Sequence, residues 1–282
     1  MKIKLIALDL DETVLHNDGS FSAFTKRILT QIAATGCYVV IASGRSFHTL
    51  PQELTSFSGI SYAITSNGAA LYDLSLRKLL LRHTISEQAV QQILQYAQTC
   101  SAPLEVFCNG EAHASSTYVS YPERYGRGKK AAAYIQQTRI PESNLMAFAM
   151  ERQKEIEGFD FSCLTDAQQK QVTADLLKQV AEIRITSSGH HLVEIMHCRA
   201  GKESMLQRLA EQLAIKQSEV LAFGNGENDA AMLQWAGMGV AVRNAAPACL
   251  EAADVVTDSN EEDGVAKFLE TQMQNGVFLQ YR

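Results

Sequence analysis

Two aspartates near the start of the chain have the spacing of a reactive carboxylate pair. Asp9 and Asp11 follow the short apolar run IKLIAL, whose length and lack of helical periodicity predict a buried strand. If the chain stays extended, the side chains of Asp9 and Asp11 point the same way, because they are two residues apart. If the chain turns at Asp11, only Asp9 is certain to face a site. Adjacent carboxylates repel each other unless a proton or a cation such as Mg²⁺ relieves the repulsion. Alone, the pair is more typical of acids that cap a turn.

Three further polar segments accompany predicted strands. Residues 43–45 (SGR) follow the apolar run CYVVIAS, and their hydroxyl and backbone N–H groups could hold a phosphate. Residues 224–229 (GNGEND) lie between the strand VLAFGN and the helix DAAMLQWAG, where Asn228 or Asp229 could simply cap the helix. Lys202 opens the helix KESMLQRLAEQLA, and a lone lysine there is usually exposed. Each segment is a weak signal by itself.

The elements around these segments alternate between strand and helix. After IKLIAL, a helix is predicted from a cap at Ser22 to Ala34, ending before Gly36, and CYVVIAS is the next strand. GVAV and ADVVT continue the pattern near the end of the chain. Such alternation predicts a doubly wound α/β fold with a parallel sheet. Because carboxyl ends of parallel strands share one edge, the polar segments are expected to converge there, which capping alone does not explain.

The middle of the chain has a different pattern. Between residues 84 and 190, the amphipathic segments SEQAVQQILQYAQ and DAQQKQVTADLLKQVAE are separated by alternating stretches such as LEVFCNG, AEIRITSS and HLVEIM. We expect an α+β domain inserted into the α/β domain. An inserted domain at this place in the fold can close over a ligand.

The motifs together resemble those of the haloacid dehalogenase-like phosphatases. DLDETVL, ASGR, the Lys202 segment and GNGENDAAML match the four ordered motifs of that superfamily. ITSNGA at residues 64–69 and the closing AADVVTDSNEEDGVAKFLE are similar to its Cof-type subgroup. The resemblance implies a Rossmann-like catalytic core over residues 1–83 and 191–282, with residues 84–190 forming the substrate-selecting cap. It covers both core segments nearly end to end, and the cap only in outline.

The resemblance also implies a role for each matching residue. Asp9 would attack phosphorus to form an aspartyl phosphate, and Asp11 would protonate the leaving group and then activate water. Ser43 would hydrogen-bond the phosphoryl oxygens, and Lys202 would neutralise their charge. Magnesium is the implied cofactor. The implied metal-binding residues are Asp9, Asp11 through its carbonyl, Asn225, and Asp229 as a direct or indirect support. The implied substrate-binding residues are Gly44, Arg45, Asn67, Gly68 and Asn228.

Two positions depart from the family pattern. Glu12 stands where the family usually has glycine, and we expect its side chain to point into solvent. Asn225 stands where the family more often has a metal-binding aspartate. Asparagine keeps a carbonyl oxygen but loses the charge, so the affinity for Mg²⁺ should fall unless Asp229 supplies a carboxylate.

Composition limits the other classes of function. The net charge of -6 over 282 residues gives no basic face for nucleic acid, so the expected ligand is small. The resemblance implies that this ligand is a phosphorylated metabolite. Sugar phosphates, pyridoxal phosphate and flavin mononucleotide are substrates of similar proteins. The six cysteines lack CxxC spacing, which favours reduced thiols over disulfides or a zinc site. No apolar run approaches a membrane span and the start resembles no signal peptide, so we expect a cytoplasmic protein without membrane association.

The motifs leave two other functions open and exclude two classes of nucleotide-binding protein. A phosphomutase would also use Asp9, and a non-catalytic phosphate-binding protein would account for the lost charge at position 225. Dinucleotide-binding and P-loop proteins need GxGxxG or GxxxxGK[ST], and neither occurs. In the predicted cap, packing or surface roles are the simpler reading of the polar and aromatic side chains His113, Tyr118, Tyr121, Arg124 and Arg127.

Overall fold

The computed structural model describes residues 2–189 and 191–278, so Met1, His190 and residues 279–282 of the predicted domain ranges lie outside the described residues. The chain divides into two compact units. The core unit comprises the chain up to Gly44, Pro51–Leu81, and the chain from Gly201 onward. The inserted unit comprises Arg45–Leu50 and Arg82–Ala200.

Both units mix strands and helices. The strands are β1 Leu5–Leu8, β2 Tyr38–Ala42, β3 Tyr62–Thr65, β4 Ala70–Asp73, β5 Lys78–Arg82, β6 Leu104–Cys108, β7 Glu111–Ser115, β8 Arg139–Glu142, β9 Ile156–Ser162, β10 Ile183–Thr186, β11 Leu192–His197, β12 Val220–Gly224, β13 Met238–Val242 and β14 Val255–Thr257. The helices are α1 Ala23–Ala33, α2 Gln52–Thr55, α3 Glu87–Ala97, α4 Ser116–Ser120, α5 Lys129–Thr138, α6 Leu145–Glu151, α7 Asp166–Gln179, α8 Lys202–Gln212, α9 Ala230–Trp235, α10 Pro247–Ala252 and α11 Gly264–Gln274.

The core unit is built on an eight-stranded sheet. Its order is β14-β13-β12-β1-β2-β3-β4-β5, and the run from β14 to β3 is parallel. β1 lies at the centre, with β12 on one side and β2 on the other. Its residues are buried, which explains the uninterrupted apolar run, because a parallel strand covered on both faces has no solvent side. The predicted doubly wound core is confirmed.

Capping residues and buried apolar faces explain where the helices α1 and α8 of the core unit form. Ser22 caps α1 by accepting a hydrogen bond from the backbone of Thr25, so the serine satisfies an end donor of the helix. α8 buries Met205 and Leu209 in an apolar cluster with strands β1, β2 and β12. This burial holds α8 against the sheet.

The inserted unit has its own six-stranded sheet in the order β10-β11-β9-β6-β7-β8. All neighbouring pairs are antiparallel except β7 and β8. One face carries alternate apolar residues such as Val106, Phe159 and Ile195, which pack with α3, α6 and α7 in a separate core. The predicted inserted α+β domain is therefore present as a fold of its own.

The domain boundary predicted after residue 190 lies ten residues too early. β11 pairs with β9 and β10 over its whole length, and the inserted unit ends at Ala200. The alternation in HLVEIM, which the sequence analysis groups with the inserted domain, belongs to an antiparallel strand with one apolar and one polar face, so the pattern was right and the numerical boundary was not. In the described part of the chain, no helix combines the length and apolar character needed to cross a membrane.

Candidate active site

The predicted reactive aspartates follow β1 directly. Asp9 is buried, with extended backbone angles that continue the strand direction. The chain then turns through residues 10–14, and Asp11 is exposed. The two carboxylates therefore have different surroundings: Asp9 is withdrawn from water and Asp11 is open to it.

Lys202 joins Asp9 to Asp229 at the centre of the site. Its ammonium Nζ lies 2.7 Å from Oδ1 of Asp9 and 2.7 Å from Oδ1 of Asp229, and all three side chains are buried. Although burial opposes the charge on Lys202, Asp229 and Asp9 outweigh it and raise the pKa of the ammonium above its ordinary value. Lys202 is therefore a fixed cation inside the protein rather than an exposed lysine at a helix start.

Asp9 carries the opposite perturbation. Burial is the first cause that raises its pKa, to about 7, and the negative charge of Asp229 is the second. The charge and hydrogen bond of Lys202 lower the pKa but do not cancel these effects. Two buried carboxylates thus share one lysine, leaving a net negative site that an added cation would stabilise.

Asp229 has both oxygens engaged in hydrogen bonds. Oδ1 accepts from Lys202, and Oδ2 accepts from the backbone N–H groups of Asn225 (3.0 Å) and Gly226 (2.9 Å). These contacts close the turn after β12 around the carboxylate. Gly224 is needed there, because a Cβ at that position would lie 2.4 Å from Cβ of Asp229. Asp229 thus orients Lys202 and holds the turn.

Asn225 is held by a residue that the sequence analysis did not single out. The hydroxyl of Thr13 donates a hydrogen bond to Oδ1 of Asn225, with a distance of 3.1 Å. Thr13 is buried and lies four positions after Asp9, inside the quoted DLDETVL motif. Its contact connects the segment after β1 with the turn after β12.

Ser43, Asn67 and Asn228 form a second connected group. Ser43 follows β2, and its carbonyl accepts a hydrogen bond from the N–H of Asn67 at 3.1 Å. The side-chain Nδ2 of Asn228 donates to Oδ1 of Asn67 at 2.9 Å. Gly68 packs against Gly201, the residue before Lys202. The predicted convergence of the polar segments on one sheet edge is thus present in the core unit.

Gly44 and Arg45 differ from the other predicted binding residues. Gly44 is half-buried and is the last residue of the core unit before the chain enters the inserted unit. Arg45 belongs to the inserted unit, where its guanidinium lies 4.7 Å from the ring centroid of Tyr134 and donates to the carbonyl of Thr49. These two contacts of Arg45 are with residues of its own unit.

Comparison with known proteins agrees with this geometry. The family model described as haloacid dehalogenase-like hydrolase matches residues 6–269. The chain belongs to the haloacid dehalogenase-like hydrolases. It is 29% identical to the 5-amino-6-(5-phospho-D-ribitylamino)uracil phosphatase YcsE of Bacillus subtilis, over 94% of each chain. It is 27% identical to the phosphatase YwpJ of Bacillus subtilis, over 95% of this chain and 99% of the other. The family resemblance drawn from the motifs is confirmed.

Solved structures match this hydrolase over nearly its whole length. A haloacid dehalogenase-like hydrolase from B. subtilis is 26% identical, with a TM-score of 0.81, and the match covers 95% of this chain and 99% of the other. A second, from Bacteroides thetaiotaomicron, is 24% identical with a TM-score of 0.79, covering 96% and 99%, and shows the shared fold. The fold class predicted from the sequence is confirmed.

Glu12 of this hydrolase occupies a left-handed backbone conformation. Its φ of 58° explains why glycine is usual at this position, since a side chain disfavours that region. The side chain is exposed, as expected. The side chain of Asn244 donates to the carbonyl of Glu12 at 2.9 Å, which helps to fix the turn.

The inserted unit of this hydrolase contains a polar group that the sequence analysis missed. Glu105, Asp160 and Glu194 are cross-strand neighbours on β6, β9 and β11, and all are buried. Arg139 forms an ion pair with Glu105 at 2.6 Å. Burial, then Glu194 and Glu105, raise the pKa of Asp160 well above its ordinary range. Only the register of the sheet shows that these acids, distant in sequence, are neighbours.

The named cap candidates have packing contacts. Arg127 donates to the Tyr118 hydroxyl and to Ser162, and Tyr118 is buried. His113 is buried and stacks on Phe148, with ring centroids 4.1 Å apart. Tyr121 and Arg124 contact each other at the surface, with the guanidinium 4.2 Å from the ring centroid.

Proposed function

We propose that this hydrolase is a Mg²⁺-dependent phosphatase that removes phosphate from small phosphorylated metabolites through an aspartyl phosphate at Asp9. The observation that carries the proposal is the buried group formed by Asp9, Lys202 and Asp229. It combines a carboxylate at a strand end with a fixed cation beside it, as nucleophilic attack on an anionic phosphoryl group requires.

Asp9 and Asp11 divide the covalent chemistry. A carboxylate oxygen of Asp9 forms a bond to phosphorus while the bond from phosphorus to the ester oxygen breaks, and Asp11 gives its proton to that leaving oxygen. Asp11 then takes a proton from water as the water oxygen attacks phosphorus, releasing phosphate and restoring Asp9. The exposure of Asp11 suits this role, because a group open to solvent can exchange protons with water.

Lys202 and Ser43 would bind the phosphoryl oxygens. The lysine is fixed by Asp9 and Asp229, so its charge is in place before substrate arrives. Ser43 stands at the end of β2, where its carbonyl is tied to Asn67. We include Gly44, Arg45, Asn67, Gly68 and Asn228 in the proposed substrate-binding set, as residues that contact the substrate or hold those that do.

The residues present fit a magnesium site. Within residues 2–189 and 191–278, no three His, Cys, Asp or Glu side chains are grouped to hold a metal ion. The proposed ligands are instead a carboxylate of Asp9, the carbonyl of Asp11 and the amide oxygen of Asn225. Of the two roles left open for Asp229, its hydrogen bonds favour indirect support. When bound, Mg²⁺ would neutralise charge on the phosphoryl group and favour the ionised form of Asp9, whose pKa is raised by burial and then by Asp229.

The relatives suggest which metabolites to test first. YcsE, YwtE and YitU of B. subtilis, between 27% and 29% identical, are each named 5-amino-6-(5-phospho-D-ribitylamino)uracil phosphatase. This compound carries a phosphate ester on a ribityl chain, as does flavin mononucleotide, one of the classes expected from the sequence. We propose such ribityl phosphates as leading candidates beside sugar phosphates and pyridoxal phosphate, with the inserted unit selecting among them.

Phosphate release tests the proposal. Wild-type protein is incubated with these esters, with Mg²⁺ or with EDTA, beside Asp9→Asn and the control Asp166→Asn. Asp166 is an exposed carboxylate of the inserted unit, with 78% of its side chain accessible. We expect Mg²⁺-dependent release of phosphate by wild type and by the control, and none by Asp9→Asn. After an acid quench of the wild-type reaction, the peptide containing Asp9 should be heavier by one phosphoryl group.

The other outcomes separate the remaining readings. Isomerised ester without free phosphate would replace the phosphatase with a phosphomutase. Binding of a phosphate ester without turnover of any compound would favour a non-catalytic protein. Release that is unchanged in Asp9→Asn would contradict the nucleophile assignment.

A further inference from the structure

The turn Ser66–Gly68, which follows β3, lies where three segments of the candidate site meet. Its three residues all have left-handed backbone angles, with φ of 49° at Ser66, 52° at Asn67 and 90° at Gly68. Such angles disfavour residues with a side chain, asparagine less than most. The turn is also buried. A strained and buried conformation persists only where surrounding contacts enforce it.

The contacts of the turn reach each of the three segments. The N–H of Asn67 donates to the carbonyl of Ser43, next to Gly44 where the chain leaves the core unit. Oδ1 of Asn67 accepts from Asn228, the neighbour of Asp229. Gly68 packs against Gly201, where the chain returns to the core unit.

The packing of Gly68 on Gly201 leaves no room for a side chain. A Cβ at position 68 would lie 2.1 Å from the carbonyl oxygen of Gly201. That oxygen accepts the hydrogen bond from Met205 that begins α8, the helix that carries Lys202. Displacing this oxygen would therefore shift the first turn of α8 and, with it, the side chain of Lys202.

We propose that the Ser66–Gly68 turn is a positioning clamp, which holds Ser43 and Lys202 in place at the two points where the chain leaves the core unit after Gly44 and re-enters it at Gly201. Asn67, Gly68 and Asn228 then act mainly through the residues they hold. This inference rests on the proposed phosphatase function and assigns the device that fixes its phosphoryl-binding groups.

The first test compares two glycines with nearly the same backbone angle. Gly68→Ala adds a methyl group against Gly201, whereas Gly19→Ala adds it at φ +84°, with no other atom within 4 Å. Both variants carry the left-handed strain, but only Gly68→Ala disturbs the clamp. We expect a fall in kcat of about 100-fold or more for Gly68→Ala, the size associated with losing one charge-stabilising donor. Gly19→Ala should retain wild-type kcat, and KM should change little in either.

The second test removes the hydrogen bond between the two asparagines. Asn67→Gly keeps the left-handed backbone and the N–H bonded to Ser43 while deleting the amide, and Asn228→Ala deletes the donor. Each variant should lower kcat about tenfold, the effect of one hydrogen bond. The double variant should be no worse than the single ones, because all three lack the same contact. Additive losses accompanied by raised KM would overturn the proposal in favour of direct substrate contact.

Hydrogen exchange supplies a readout that needs no substrate. Relative to Gly19→Ala, exchange in Gly68→Ala should be faster in peptides containing Asn67, whose N–H donates to the carbonyl of Ser43, and in peptides containing Met205, whose N–H donates to the carbonyl of Gly201. Exchange in the sheet of the inserted unit should be unchanged. Exchange and kcat equal to those of Gly19→Ala would refute the clamp. If wild-type protein releases no phosphate, the proposed function fails, and the exchange data still decide whether the turn holds these segments.

Discussion

In the proposed magnesium site, Asn225 is a ligand without charge. The family more often has an aspartate there, and in the proposed site Asp229 supports the metal indirectly. Both Asp229 oxygens are engaged, by Lys202 on one side and by two backbone N–H groups on the other. The proposed ligand set therefore has a single buried carboxylate, that of Asp9. Fewer charged ligands mean weaker Mg²⁺ binding.

Asn225→Asp should strengthen Mg²⁺ binding. The new carboxylate keeps the oxygen that accepts from Thr13 and adds a negative charge to the proposed ligand set. We expect the Mg²⁺ concentration for half-maximal activity to fall about tenfold, equivalent to ~1.4 kcal/mol. In EDTA the variant should melt below wild type, since the added charge joins Asp9 and Asp229, and Mg²⁺ should raise its Tm more than that of wild type.

Asn144→Asp is the matched control for this charge. Asn144 is exposed and caps α6, where aspartate caps equally well. Its response to Mg²⁺ should equal that of wild type. If Mg²⁺ shifts the Tm of Asn225→Asp no more than that of the control, residue 225 does not face the metal.

At the scale of elements, the sequence predicts what depends on local pattern. The sequence itself shows the apolar runs of β1, β2 and β12 and the serine cap of α1. The parallel topology then predicts that the polar residues after these strands meet at one edge of the sheet. The sequence does not show that Lys202 is buried between Asp9 and Asp229, because that arrangement depends on how α8 packs on the sheet. The family resemblance implied that Lys202 neutralises phosphoryl charge. The ion pairs with Asp9 and Asp229 explain how a lysine can be buried there as a cation.

What the sequence could not predict depends on pairing between distant segments. The left-handed turn at Ser66–Gly68 is signalled only weakly by the letters SNG, and its contacts join it to Ser43 and to the distant Gly201. The acids Glu105, Asp160 and Glu194 become neighbours only through the register of β6, β9 and β11. The predicted boundary after residue 190 divides the chain just before β11, although the alternation of HLVEIM fits the inserted domain; the pairing of β11 with β9 and β10 is visible only in the sheet.

The row of acids makes the stability of the inserted sheet depend on pH. Burial, then Glu194 and Glu105, raise the pKa of Asp160, while Arg139 and Arg127 lower it less. The folded state therefore holds a proton that the unfolded chain releases at its ordinary pKa of about 3.9. Stability associated with this proton is fully present below that pH and is lost as the pH rises toward the raised pKa of the folded state.

Asp160→Asn should remove the loss of stability that wild type shows as the pH rises. The amide resembles the protonated acid, so the variant and wild type should have similar Tm near pH 4, and the variant should become the more stable one as the pH rises to 8. Thermal unfolding across that range measures the difference. Asp166→Asn loses only an exposed ion pair with His191 (3.0 Å), which contributes little, so its Tm should stay close to that of wild type across this range. Equal pH profiles for Asp160→Asn and wild type would mean that Asp160 ionises without cost in the folded sheet.

At the scale of the whole molecule, each unit has an apolar core of its own. Phe159 is fully buried among β6, β9, β11 and the helices α3, α6 and α7 of the inserted unit. Leu209 is buried between α8 and the strands of the core unit. Each cluster lies entirely within its unit. Separate cores are the physical basis on which domains can unfold as separate cooperative units.

Truncating one residue in each core tests this independence. Phe159→Ala and Leu209→Ala should each cost about 3–5 kcal/mol through lost burial and the cavity left behind. Hydrogen exchange should accelerate in β6, β9 and β11 for Phe159→Ala, with β1, β2 and β12 unchanged, and the reverse should hold for Leu209→Ala. Each variant is the control for the other, since both remove a buried apolar side chain. Equal acceleration in both sheets would show that the two cores unfold together, and stability would then be a property of the chain as a whole.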